Sequence, residues 1–179
     1  MRYVLFFTIL LFSAELKAQK LVKQKLADNI SVHLPKDFYP MTQEDQAQRY
    51  ESARLPIALY TDPDRLVDFG VNRSYSTWQQ GDLEMMEEFY QASILELYDK
   101  VDFISKGIKN VNNHDFVYFE FESAVYPEND FQGSIAKYTY LMYCLEEGTT
   151  YLFNFTCELS ARNQYQGTAH QIMESVKIE

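Results

Sequence analysis

The chain has 179 residues, with 26 acidic and 16 basic side chains and a formal net charge of −10. A field of that sign repels phosphate backbones at long range and argues against nucleic acid as a partner. Six glycines and two cysteines leave little material for glycine-rich phosphate cradles or a dense disulfide framework. In chain order, residues 1–19, MRYVLFFTILLFSAELKAQ, carry Arg2, an apolar run from Tyr3 to Phe12, and a more polar stretch ending near Ala18. The run is about half of the roughly 20 apolar residues that span a bilayer, and the order matches a secretory signal peptide. Residues 1–19 are therefore set apart from the fold, and residues 20–179 read as a single domain. The expected location is periplasmic or secreted, with no stable membrane insertion after cleavage.

Residues 28–34, DNISVHL, alternate as a strand with Ile30, Val32 and Leu34 on one side, and Pro35 ends it. TQEDQAQRY follows as a short helix, with Thr42 as N-cap and Glu44 and Asp45 suited to its positive end. PIALYTDPDRLVDFGVNRSY reads as two strands about a turn at Asp62-Pro63-Asp64, with Val67, Phe69 and Val71 buried. The longest helix is predicted from Asp82 to Tyr98, burying Leu83, Met86, Tyr90, Ile94 and Leu97 at spacings of three and four. VDFISKGIKNV and DFVYFEFESAV then pair about Asn112-Asn113. A second hairpin turns at Glu146-Glu147-Gly148, and Ser160 is expected to cap a last helix with a buried stripe of Tyr165, Ala169, Ile172, Met173 and Val176.

Register within the second hairpin carries further consequences. A turn centred on Glu147-Gly148 sets Cys144 opposite Tyr151 and Cys157 opposite Tyr138. The two thiols then share a face but lie roughly 20 Å apart along the ladder, beyond the ~7 Å Cα separation of a disulfide. Packing is the favoured role for Cys157, ahead of a reactive thiol near a helix start. Apolar groups occur on both faces near the turn, Tyr138, Tyr140 and Met142 on one and Leu141, Tyr143 and Leu145 on the other. Both faces therefore require cover.

A strand ending in LP, a long helix, the pair GIKNVNNHDFVYFEFES, and a close of the form YTYLMYCLEEGTTYLFNFTCELSARNQYQGTAHQIMESVKI together resemble a known fold. It is the fold of PsbP-type photosystem accessory proteins, DcrB-type periplasmic proteins and a Ran-binding nuclear import factor. The resemblance implies an α+β, three-layer α/β/α sandwich with a central, mainly antiparallel sheet. It also implies an accessory or binding protein and not an enzyme. No residue of this chain matches the calcium, manganese or Ran contacts of those proteins.

The residues themselves offer little chemistry. There is no GxSxG elbow and no phosphate loop, and His33, His114 and His170 lack metal-ligand spacing. No metal and no cofactor is expected. Glu120 and Glu122 share one side of a strand, where a carboxylate pair can serve acid–base work, but the alternation also fits a sheet edge running into solvent, the favoured reading. Aromatic rings in loops stand out: Tyr75 and Trp78 before the long helix, and Tyr126 and Phe131 between two strands. Rings of this kind make contact surfaces at small entropic cost, although Trp78 also suits a staple beneath its loop. The expected function is a non-catalytic exported domain contacting a protein or envelope partner. The alternative is a small-ligand carrier or hydrolase with a pocket between sheet and helix.

Overall fold

A computed structural model describes residues 20–50, 55–75, 77–127 and 133–179. Residues 1–19, the expected signal peptide, lie outside them. The chain runs β1 (Leu21–Lys25), β2 (Ile30–Pro35), β3 (Tyr39–Pro40), α1 (Gln43–Arg49), β4 (Ala58–Thr61) and β5 (Val67–Tyr75). It continues through α2 (Leu83–Leu97), β6 (Lys100–Val111), β7 (His114–Val125), β8 (Ile135–Glu146), β9 (Thr149–Glu158), α3 (Arg162–Glu174) and β10 (Lys177–Ile178). Seven strands form an antiparallel sheet in the order β3-β4-β5-β9-β8-β7-β6, and β1, β2 and β10 form a small sheet with β2 in the middle.

The large sheet owes its register to two tight turns. Asn112 and Asn113 join β6 to β7 with φ of 51° and 70°, and Glu147 and Gly148 join β8 to β9 with φ of 46° and 75°. Two consecutive positive φ values match the right-handed twist of the strands they connect, and Asn and Gly adopt them at least cost. Cys144 accordingly pairs with Tyr151 and Cys157 with Tyr138.

Period-two alternation then gives the sheet two apolar faces. Tyr138, Tyr140, Met142, Phe153 and Phe155 pack beneath β2 and α3, which contribute Ile30, Val32, Leu34, Tyr165, Ala169, Ile172 and Met173. Val117, Phe119, Phe121, Tyr143 and Leu145 pack beneath Met86 and Ile94 of α2. The result is a three-layer α/β/α sandwich. On β5, Asp68, Gly70 and Asn72 alternate with the buried Val67, Phe69 and Val71, and α1 grips Asp68 from the face that α2 covers elsewhere.

Several local expectations change. Leu97 is 71% exposed, because it sits in the last turn where the chain leaves α2 for β6. Ser160 does not cap α3: β9 runs on to Glu158, a single 3₁₀ turn spans Leu159–Ala161, and the cap position falls to Ala161 without a side-chain hydrogen bond. The short strands β1, β3 and β10 carry too few residues to show a period.

Candidate functional site

On β7 the alternation turns Glu120 and Glu122 toward α3, and Glu120 is only 2% exposed. Its Oε1 accepts hydrogen bonds from the Tyr138 hydroxyl (2.8 Å), Gln166 Nε2 (2.7 Å) and His170 Nε2 (3.0 Å). Its Oε2 accepts one from Ser105 Oγ at 3.0 Å. Ser105 reaches it because an irregularity in β6 between Phe103 and Ser105 shifts the register by one residue. Glu122 pairs with Arg162, whose guanidinium lies 5.9 Å above the Tyr138 ring.

The picture of a sheet edge running into solvent is thus wrong for Glu120, since α3 lies over it. Burial pushes its pKa up, but the hydrogen bonds from Gln166, Tyr138, His170 and Ser105 together outweigh burial and hold it below the ordinary carboxylate value. A carboxylate kept ionised, with both oxygens hydrogen-bonded, is a poor proton carrier and a good structural hub. Lys109 plays a related part nearby. Its Nζ donates to the Tyr140 hydroxyl at 2.7 Å and sits 5.3 and 5.1 Å from the Tyr118 and Tyr140 ring centres.

Neither thiol is activated. Cys144 and Cys157 are unbridged and buried, and burial pushes both thiols up to about 12. Among the described residues, no group of three or more His, Cys, Asp or Glu side chains is placed to hold a metal ion.

The loop aromatics divide between the two ends of the sheet. Tyr75 ends β5, pairs with Thr149 beside the β8–β9 turn, and is 88% exposed. Trp78 is half-buried against the α2 core, with its ring 5.7 Å from that of Phe89. Phe89 and Met85, one turn apart on α2, are 53% and 61% exposed. Tyr126 follows β7 at the opposite end, where its backbone N–H donates to Asp99 Oδ2 at 2.7 Å. Phe131 lies outside the described residues. The structure therefore brings Trp78 and the exposed Phe89 of α2 together, and keeps Tyr126 at the opposite end of the sheet from Tyr75.

A feature that sequence reasoning missed lies between α1 and the β5–β9 floor. Thr42 caps α1 by accepting from the Asp45 N–H, and Arg65 pairs with Asp45 at 2.6 Å. At the other end of α1, Tyr50 Oη and Arg49 Nη2 donate to Asp68 Oδ2 at 2.5 and 2.7 Å. Burial, then the bond to Asp68, raises the Tyr50 hydroxyl far above its usual range, so it stays a donor. Beside this latch opens a cleft of about 670 Å³, floored by Gly70, Asn72 and Asn154 and walled by Gln43, Gln46, Pro56 and Leu59. Asn154 Oδ1 on the floor, and Asp68 Oδ1 at the latch, are shut from water without a hydrogen-bond partner. The available signals were an asparagine between Phe153 and Phe155 and a glycine inside a strand.

No protein-family model matches the chain, and no characterised protein matches it by sequence. Solved structures do match it in shape. The solution structure of cyanobacterial PsbP (CyanoP) from Synechocystis aligns with 90% of this chain and 94% of its own, at a TM-score of 0.63 and 9% identity. The fold is PsbP-like. LpqN of Mycobacterium tuberculosis, described as involved in cell envelope biogenesis, shares the PsbP-like sandwich over 89% of this chain and 90% of its own (TM-score 0.56, 10% identity). PA94 of Pseudomonas aeruginosa, a protein of unknown function, matches over 87% and 94% (TM-score 0.50, 7% identity). At these identities the PsbP-like likeness speaks for the fold alone. Among the described residues, no helix is long and apolar enough to cross a membrane.

Proposed function

We propose that this PsbP-like domain is a non-catalytic accessory or binding domain that acts outside the cytoplasm on a protein or cell-envelope partner. The observation that carries the reading is the exposure of large apolar side chains on the sandwich. Tyr75 stands almost fully exposed at the end of β5, on the face that carries Val67, Phe69 and Val71, and Met85 and Phe89 are exposed on α2 beside the half-buried Trp78. Apolar side chains of this size in water are the usual material of contact surfaces. Glu120, by contrast, the carboxylate that the hydrolase alternative would use, is engaged by Tyr138, Gln166 and His170. The signal-like residues 1–19 and the description of LpqN support an extracytoplasmic setting.

The test is a photo-crosslinking amino acid placed at residue 75, 126 or 131 in cells, with Tyr75→Ala as the matching loss-of-contact variant. Position 75 is expected to give a discrete adduct, and Tyr75→Ala to weaken that complex while changing stability by less than about 0.5 kcal/mol. If no position gives an adduct and Tyr75→Ala leaves every captured complex intact, Tyr75 is not the contact.

A further inference from the structure

We propose that the cleft beneath α1 binds a short uncharged peptide segment, with a main-chain amide on Asn154 and an aliphatic side chain against Leu59 and Pro56. This site is separate from Tyr75 and does not depend on it.

The inference starts from Asn154. It sits mid-strand in β9, and its Oδ1 is enclosed without a partner. Buried acceptors are nearly always paired, so an orphan on the floor of an open cleft marks a place where a donor arrives from outside. Directly opposite in register is Gly70. A Cβ there would stand 3.0 Å from Leu59 Cδ1, so the missing side chain is what lets Leu59 lie close against the floor as the aliphatic wall of the cleft. Glycine inside a strand weakens it, and commonly marks close approach by a ligand or another backbone. Two independent features thus converge on one spot.

The lining then defines the occupant. Among the described residues the cleft presents primary amides, one phenol and aliphatic carbon, with no charged side chain. Arg49, the nearest cation on α1, is already held by Asp68. An anion would meet no counter-charge from the described lining residues, and the chain's net charge of −10 would repel it. A primary amide offers one acceptor beside one donor, the complement of a peptide group's N–H and C=O. Asn72, Gln43 and Gln46 place more such groups around the cleft, although Gln46 Nε2 already donates to the Met41 carbonyl at 3.1 Å. Aliphatic walls suit an aliphatic side chain better than a flat sugar ring. Among the described lining residues the only ring is Tyr50, and its hydroxyl is engaged by Asp68. The volume falls within the ordinary range for ligand sites, about 300–1,000 Å³.

The experiment titrates ¹⁵N-labelled protein with N-acetyl-leucinamide, and in parallel with N-acetyl-leucine and methyl glucoside. N-acetyl-leucinamide is expected to shift the Asn154 side-chain amide and the Gly70 backbone signal. N-acetyl-leucine, which adds a carboxylate, should bind at least about tenfold more weakly. Asn154→Leu removes the acceptor and should abolish the shift at Gly70 while the protein folds normally. Gly70→Ala, which pushes Leu59 into the cleft but keeps Asn154, should weaken binding by a similar factor. Tyr75→Ala should leave the titration unchanged, so failure at Tyr75 and failure at the cleft can be told apart. The proposal is overturned if N-acetyl-leucinamide moves no cleft signal, if the carboxylate or the glucoside binds as well or better, or if neither cleft variant alters binding.

Discussion

Replacing Glu120 with leucine removes the acceptor on which four donors converge. Counting four lost bonds would overstate the effect. Ser105, Gln166 and His170 are only half-buried and can turn toward water, whereas Tyr138 is fully enclosed and its hydroxyl has nowhere to go. The expected loss is therefore one charge-assisted hydrogen bond together with the penalty of a stranded hydroxyl, about 2–4 kcal/mol. For a domain of this size, that corresponds to a fall in Tm of roughly 4–16 °C. Tyr138→Phe removes the stranded group, so the double variant should be more stable than the sum of the single losses by about 1–3 kcal/mol. Urea unfolding followed by far-UV circular dichroism measures each midpoint, with an unchanged m-value expected. A Glu120→Leu midpoint equal to wild type, or single losses that simply add, would refute the hub.

The same carboxylate governs acid stability. Because its folded pKa lies below the ordinary 4.5, its contribution is complete above that value and fades as pH falls through the folded pKa. Glu120→Gln should flatten this limb of a urea-midpoint profile below pH 4.5, and an unaltered profile would assign the acid sensitivity elsewhere. Cys144 and Cys157, with thiols raised to about 12 by burial, should resist iodoacetamide at pH 8 in the native protein and react once urea unfolds it. Rapid native alkylation, or a Cys144–Cys157 disulfide in a peptide map, would contradict their packing role. At the β6–β7 turn, where Asn113 has φ of 70°, Asn113→Val should cost about 1–2 kcal/mol and Asn113→Gly almost nothing, as read by thermal melts.

The layers were legible because they follow from period and register. Alternation in residues 135–158 showed both faces needing cover, and a turn centred on Glu147-Gly148 was enough to set Cys157 opposite Tyr138. The buried stripe of α3 was equally plain, and Tyr165, Ala169, Ile172 and Met173 are all enclosed. What the sequence concealed depends on contacts distant along the chain. Glu120 alternates like a surface residue, and only the packing of Gln166 and His170, on a helix more than 40 positions later, makes it a buried hub. The cleft eluded the sequence for the same reason. Asn154 and Gly70 are unremarkable until strand pairing sets them face to face and α1 is latched above them by Asp68. Trp78 was ambiguous from the start, since a loop tryptophan can face a partner or its own helix, and here its ring also rests against Phe89.

The pairing of β10 with β2 has a kinetic side. Ile178 lies opposite Ile30, the Glu179 N–H donates to the Asn29 carbonyl at 2.8 Å, and the His33 N–H donates to Ser175 Oγ at 2.8 Å. Residues near 30 therefore find part of their cover in residues 165–178. A chain emerging from its N-terminus holds Ile30, Val32 and Leu34 in readiness through most of its synthesis, and this half of the sandwich closes only after α3 has been released. Such long-range closure makes for slow folding and leaves an apolar strand in need of protection in the interval.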